Sequence, residues 1–211
     1  VYSAERDATK ALLDYYQIVM SGSFQASIKA IIRFARFDAA RFRLRDALRA
    51  RALAAELKKG SAAYIEAGAI HFSLYHLLRK RMPKQAQLKP VFLAHKALKT
   101  LGVKGHLFGP GDQLTLTYIF HPNVNGTLKE ALLAARSLIY SKLIEKEEVS
   151  ADLETFPHVR NEIACIRTVE LLNLDDCDRL FPLIRRLKTV HARQLVDDYI
   201  ARIKRLPRQN L

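Results

Sequence analysis

Residues 112–146 read DQLTLTYIFHPNVNGTLKEALLAARSLIYSKLIEK. How residues 114–120 (L-T-L-T-Y-I-F) are read decides the fold. They alternate like a strand, but their neighbours follow helical spacing and no second strand is present to pair with them. A lone strand leaves its backbone N–H and C=O groups without partners, so the stretch is read as a helix. Pro122, Asn123, Asn125 and Gly126 make a turn, and Thr127 caps a second helix that runs to about Lys146 through Leu128, Ala131, Leu132, Ala135 and Leu138.

The same reading extends in both directions. Residues 8–20 form a helix with Leu12, Leu13, Tyr16 and Val19 on one face, broken at Ser21-Gly22-Ser23. Ser23 can cap the next helix, in which Phe24, Ile28, Ile31, Ile32 and Ala35 form an amphipathic stripe. Asp38 is read as the cap of a further helix to about Lys59, before a break at Gly60 and Ser61. Helices are expected over 64–81 and from Pro90 to Leu101, where Gly102 stops the second of them. The glycine-rich stretch 102–111 is a loop, and helices over 159–172, 176–188 and 191–204 complete the set. The expected fold is all-α: one domain over 1–211, built as a short irregular stack of antiparallel hairpins at about 24–59, 62–102, 112–146 and 158–190.

The unit 112–146 resembles a pentatricopeptide repeat. A first helix with a polar start leads through a G-x-L-x-x-A-L turn into a second, with Gly126, Leu128, Ala131 and Leu132 at those positions, and the unit has the family's length of 35 residues. A weaker match covers 70–104, whose end, Leu98-Lys99-Thr100-Leu101-Gly102-Val103-Lys104, looks like the close of a repeat. The resemblance implies stacked helical hairpins. It also implies one of two roles: reading organellar RNA at about one base per repeat, or serving as a structural subunit of a mitochondrial ribosome or energy-converting complex.

Composition agrees with a helical, basic protein. Lys and Arg number 35 against 21 Asp and Glu, a formal charge of +14. The whole excess lies in 29–104, with 18 basic and 4 acidic residues, while 141–178 is net acidic with 4 and 10. Such a balance points to an anionic partner. The strongest feature is the cluster Arg33, Arg36, Arg41, Arg43, Arg45, Arg49 and Arg51, in which Arg41, Arg45 and Arg49 stand one turn apart. Forked guanidinium donors suit phosphate or carboxylate. A second patch is Arg79, Lys80, Arg81 and Lys84, with Lys89 beyond. Phe34, Phe37 and Phe42, interleaved with the arginines, are expected in the core.

No enzymatic signature is complete. Lys104 among Gly102, Gly105, Gly109 and Gly111 lacks the order of a phosphate-binding loop, and His71 and His76 are five apart, the wrong spacing for two metal ligands on one helix face. Arg185 and Arg186 ahead of His191 match an arginine–histidine spacing of some helical ribonucleases, at the frequency chance alone provides. Cys165 and Cys177 read as reduced core thiols. No catalytic residue, cofactor, metal, small-molecule substrate or membrane span is expected. A basic, Ala-rich chain opening at Val1 suits a matrix-side mitochondrial protein whose transit peptide has been removed. The expectation is therefore a non-catalytic accessory subunit of a large mitochondrial assembly, an ATP synthase or other respiratory-chain complex or a ribosome, docking on other subunits through its basic face. The alternative is a protein that binds organellar RNA.

Overall fold

The computed structural model describes residues 2–57, 62–147 and 155–205. Regular structure among them is entirely helical: α1 (Tyr2–Ser21), α2 (Phe24–Glu56), α3 (Phe72–Arg81), α4 (Ala94–Thr100), α5 (Pro110–Phe120), α6 (Leu128–Leu143), α7 (Pro157–Glu170), α8 (Leu174–Ile184) and α9 (Thr189–Arg205). The alternating stretch 114–120 lies inside α5, which Pro110 opens at its first turn. Gly126 takes a left-handed φ of 71° at the turn into α6. Thr127 caps α6 in a reciprocal box: its hydroxyl accepts from the Glu130 amide, and the Glu130 carboxylate accepts from the Thr127 amide.

In place of the first expected hairpin, 24–59, the described residues form one uninterrupted helix over Phe24–Glu56. α2 has 33 residues and a length of about 50 Å. It contains neither Gly nor Pro. Asp38 does not cap a helix; it sits within one and accepts hydrogen bonds from Arg41, one turn on, at 2.9 and 2.6 Å. Ser23 is the cap, accepting from the Ala26 amide. The expected break at Gly60 and Ser61 lies outside the described residues. The second unit also differs: the helix expected from 64 begins at Phe72, and the one expected from Pro90 begins at Ala94. Side-chain bonds from His71 and Ser73 to Asp46 of α2 fix where α3 starts.

α2 folds back antiparallel on α1, with Glu5 facing Arg41 and Arg45 and Asp14 facing Arg33. It also packs on α3, α5, α6 and α8. In a nearest-neighbour stack each pair would touch only the pairs before and after it; here one long helix is shared by α1, α3, α5, α6 and α8. The main core gathers Tyr15 of α1, Ile28 and Ile31 of α2, Leu114 and Tyr118 of α5, Leu138 and Ile139 of α6, Val169 of α7, Phe181 and Ile184 of α8 and Val196 of α9. Ala35 and Ala39 are almost fully buried, so small side chains let helices approach α2 closely. Arg185 at the end of α8 donates to the Gly22 carbonyl, closing the bundle onto the α1–α2 corner.

A separate, smaller core lies at the far end of α2. Ala50, Leu74 and Leu78 are buried there, with Leu53, Ile65, Leu77 and Leu88 packed around them. It carries α3 and the irregular segments on either side. α4 ends as the sequence predicts: Gly102 has a φ of 69°, its amide donates to Lys99, and the Val103 amide donates to Leu98. This is a Schellman closure that only glycine enters without strain. Gly102→Ala is expected to lower stability by about 1 kcal/mol, read from a urea unfolding midpoint; an unchanged midpoint would show that the closure tolerates a Cβ.

Candidate functional site

The continuous α2 does present Arg41, Arg45 and Arg49 one turn apart, but most of the arginine cluster is turned to internal use. The Arg36 guanidinium donates to the Val124 carbonyl (2.6 Å), to Asn125 Oδ1 (3.1 Å) and to Glu130 Oε1 (2.9 Å), and lies 4.3 Å above the Tyr118 ring. Arg41 bridges Asp38 and Glu5, and Arg43 donates to the Tyr118 carbonyl. Arg33 and Arg45 reach Asp14 and Glu5 at 3.6 Å, and Arg49 donates to the Glu66 carbonyl. Arg51 is exposed and makes no side-chain bond among the described residues. In the sequence only Asp38 and Asp46 stand close to these arginines. Folding supplies partners from α1, α6 and backbone carbonyls.

Glu130 is the centre of this network. It is 3% exposed and accepts from Arg36, Tyr118, the Thr127 amide and the Thr127 hydroxyl. Burial alone would raise its carboxyl, but the hydrogen bonds from Tyr118 and Thr127 and the Arg36 charge together hold it below the ordinary value. Burial, together with the Glu130 carboxylate, pushes the Tyr118 hydroxyl up.

The second patch has a different character. Arg79, Lys80, Arg81 and Lys84 are exposed, and so are Lys89, Lys96, Lys99 and Lys104. Arg79 donates to the Tyr75 hydroxyl. The other seven make no ion pair or side-chain hydrogen bond among the described residues. All eight fall within 67–111, a run of 45 residues containing no Asp or Glu. That run is a signal the residue clusters do not capture: Lys96 and Lys99 belong to neither cluster and Lys104 is weighed only as a phosphate-loop lysine, yet all three join the second patch on one acid-free unit. Aromatic surface accompanies the charge. Phe72 and Phe92 stack at 5.2 Å, His106 meets Phe92 at 4.4 Å, and His95 Nε2 lies 3.3 Å from His106 Nδ1. Desolvation and the neighbouring His95 lower the His106 pKa. Tyr64 (84%), Leu93 (83%) and Val91 (70%) stand almost fully in solvent.

A buried carboxylate joins this unit to α2. Asp46 has no exposed surface; it takes His71 Nδ1 at 2.5 Å and accepts from the Ser73 hydroxyl. Acid, imidazole and serine are thus together, but Ser73 bonds to Asp46 rather than to the imidazole, so no base activates its oxygen. The arrangement is a clasp. Of the remaining sequence candidates, Arg185 is spent on Gly22, and Cys165 and Cys177 are free and buried. Among the described residues no three His, Cys, Asp or Glu side chains converge as a metal site would require, and no helix is long and apolar enough to cross a membrane.

With this geometry in place, comparison with known proteins adds one relative. The chain is 31% identical over 182 residues to an uncharacterized protein of the archaeon Archaeoglobus fulgidus, covering 86% of this chain. The chain spans 61% of that relative's length. No family model matches the sequence, and no solved structure matches it.

Proposed function

We propose that this chain is a non-catalytic module that binds single-stranded RNA through the unit spanning residues 67–111. The observation that carries the reading is the acid-free run with eight exposed cations, seven of them without partners among the described residues. Lysines without partners among the described residues, with the exposed His95 and His106 rings and the half-buried Phe72 and Phe92, suit a flexible phosphate backbone whose bases can stack, whereas a duplex would leave the rings idle. The arginines of α2 contribute less, because their donors are already engaged. The hairpin α5–α6, whose sequence resembles a pentatricopeptide repeat, is consistent with an RNA partner. The archaeal relative adds no support for a mitochondrial location, an ATP synthase or a ribosome. The accessory-subunit reading keeps one favourable observation, an apolar groove beside Arg33 and Arg36, described below.

The test is fluorescence anisotropy with a labelled twenty-nucleotide U-rich RNA, at several salt concentrations. Wild type is expected to bind with a steep salt dependence, each phosphate contact adding about 0.7 to the log–log slope. Combining Lys80→Ala, Lys84→Ala, Lys96→Ala and Lys99→Ala is expected to lower the slope by up to about 3 and weaken binding about 100-fold at 0.1 M salt. Arg41→Ala, Arg45→Ala and Arg49→Ala together should change affinity far less. Absence of binding at 0.1 M salt, or a quadruple variant that binds like wild type, would overturn the reading.

A further inference from the structure

One face of α2 remains uncovered by the bundle. Lys29, Ile32, Arg33, Arg36, Phe37 and Ala40 recur at one-turn spacing along it, and the α6 N-terminus faces them with Leu128 and Ala131. Between the two helices runs an open groove of about 760 Å³. Its floor is apolar, and Leu128 at the lip is 84% exposed. The α2 side extends over three turns, about 16 Å.

Charge around the groove has one sign. Lys29 is exposed, and Arg33 keeps 57% of its side chain in solvent, with a long 3.6 Å contact to Asp14 and its guanidinium 5.7 Å above the Phe37 ring. The lone carboxylate in the lining is Glu130, buried and already bonded to Arg36, Tyr118 and Thr127. Nothing free on the groove can therefore repel an acidic partner, and two cations on its edge attract one. The apolar floor disfavours nucleic acid, which needs cations and stacking rings in contact rather than Ile32, Ala40 and Ala131. A concave trough does not fit a flat lipid surface.

We propose that this groove is a docking site for an amphipathic helix of a protein partner, three to four turns long, with an apolar stripe and acidic flanks. The apolar stripe replaces water over Ile32, Phe37, Leu128 and Ala131. The flanking carboxylates meet Lys29 and Arg33. This is recognition of a helix by a groove, with anchors repeating at i, i+3 or i+4, and i+7. The site is separate from the 67–111 unit, so a protein partner and RNA need not compete.

The test is selection of a random sixteen-residue peptide library displayed on phage against the wild-type chain, with counter-selection on Leu128→Glu. Leu128 is exposed, so its replacement leaves the fold intact, which circular dichroism checks. Enriched peptides are expected to carry apolar residues at helical spacing with Asp or Glu between them. Their affinity should fall at least 10-fold with Leu128→Glu, and as much with Lys29→Glu and Arg33→Glu combined. RNA affinity of Leu128→Glu should match wild type, which separates failure here from failure of the RNA reading. No enrichment, enrichment of basic or non-helical peptides, or binding indifferent to Leu128 would overturn the proposal.

Discussion

Glu130→Ala is expected to destabilise the fold by about 3 kcal/mol, and so to lower Tm by roughly 6–12 °C for a domain of this size. The side chain is buried and is the shared acceptor of Arg36, Tyr118 and the Thr127 cap, so its removal strands donors in three places at once. Each stranded donor costs more than the bond it made was worth. Glu130→Gln should fall between the two, because its amide nitrogen would face donors where an oxygen accepted. The pH dependence has a definite sign. The folded carboxyl lies below its usual value of 4.5. Its contribution is therefore complete above about pH 4.5 and is lost as pH falls through the folded value. Urea unfolding followed by circular dichroism at pH 7 and pH 4 measures both effects. A loss under 1 kcal/mol at pH 7 would show that Arg36 and Tyr118 find other partners.

Asp46→Ala is expected to have a comparable cost, about 3 kcal/mol, but a local one. It leaves His71 and Ser73 without the acceptor that joins α3 to α2, and the small core around Leu74 and Leu78 then becomes the main hold of α3 on α2. Amide exchange should accelerate across 72–81 while α5 and α6 keep their protection. Burial alone would raise the Asp46 carboxyl; hydrogen bonds from His71 and Ser73 prevail and hold it below its usual 3.8. The clasp is thus at full strength above about pH 3.8 and weakens as pH falls through the folded value. Because the same unit carries the free lysines, Asp46→Ala should also weaken RNA binding although Asp46 touches no RNA. Uniform loss of protection over the whole chain would mean that the unit is not an independent element.

Local chemistry was legible in the sequence. Ser23, Thr127 and Gly102 act within a few residues of themselves, and the helix ends they mark stand where they point; Pro110 and Gly111, read as loop, instead open α5, and Pro90, read as a helix start, precedes α4 by four residues. The helical state of 114–120 was legible by exclusion, for want of a second strand. The apparent break at Asp38 was not, because a cap and a mid-helix ion pair use the same side chain and only Arg41 three residues on distinguishes them. The α3 start failed for a related reason: Asp46 is 25 residues from His71, and no periodicity encodes that contact. The arginine cluster was visible as a cluster, but its partners Glu5, Glu130 and the Val124 carbonyl come from other helices and turns. What remains available to a partner was written more plainly in a missing residue type, the carboxylates absent from 67–111, than in the arginines themselves.

The unbroken α2 has a geometric consequence. The apolar groove is mounted on one part of this helix and α3, with Arg79, Lys80 and Arg81, on its far end, so a single ladder of backbone hydrogen bonds links their spacing and their relative bearing. From Arg36 to Ala50 the helix advances about 21 Å, and each residue turns the bearing by about 100°. α2 therefore works as a ruler with a phase: adding one residue between Ala40 and Asp46 would swing the far unit around the axis, whereas adding a full turn would move it outward and nearly restore its direction.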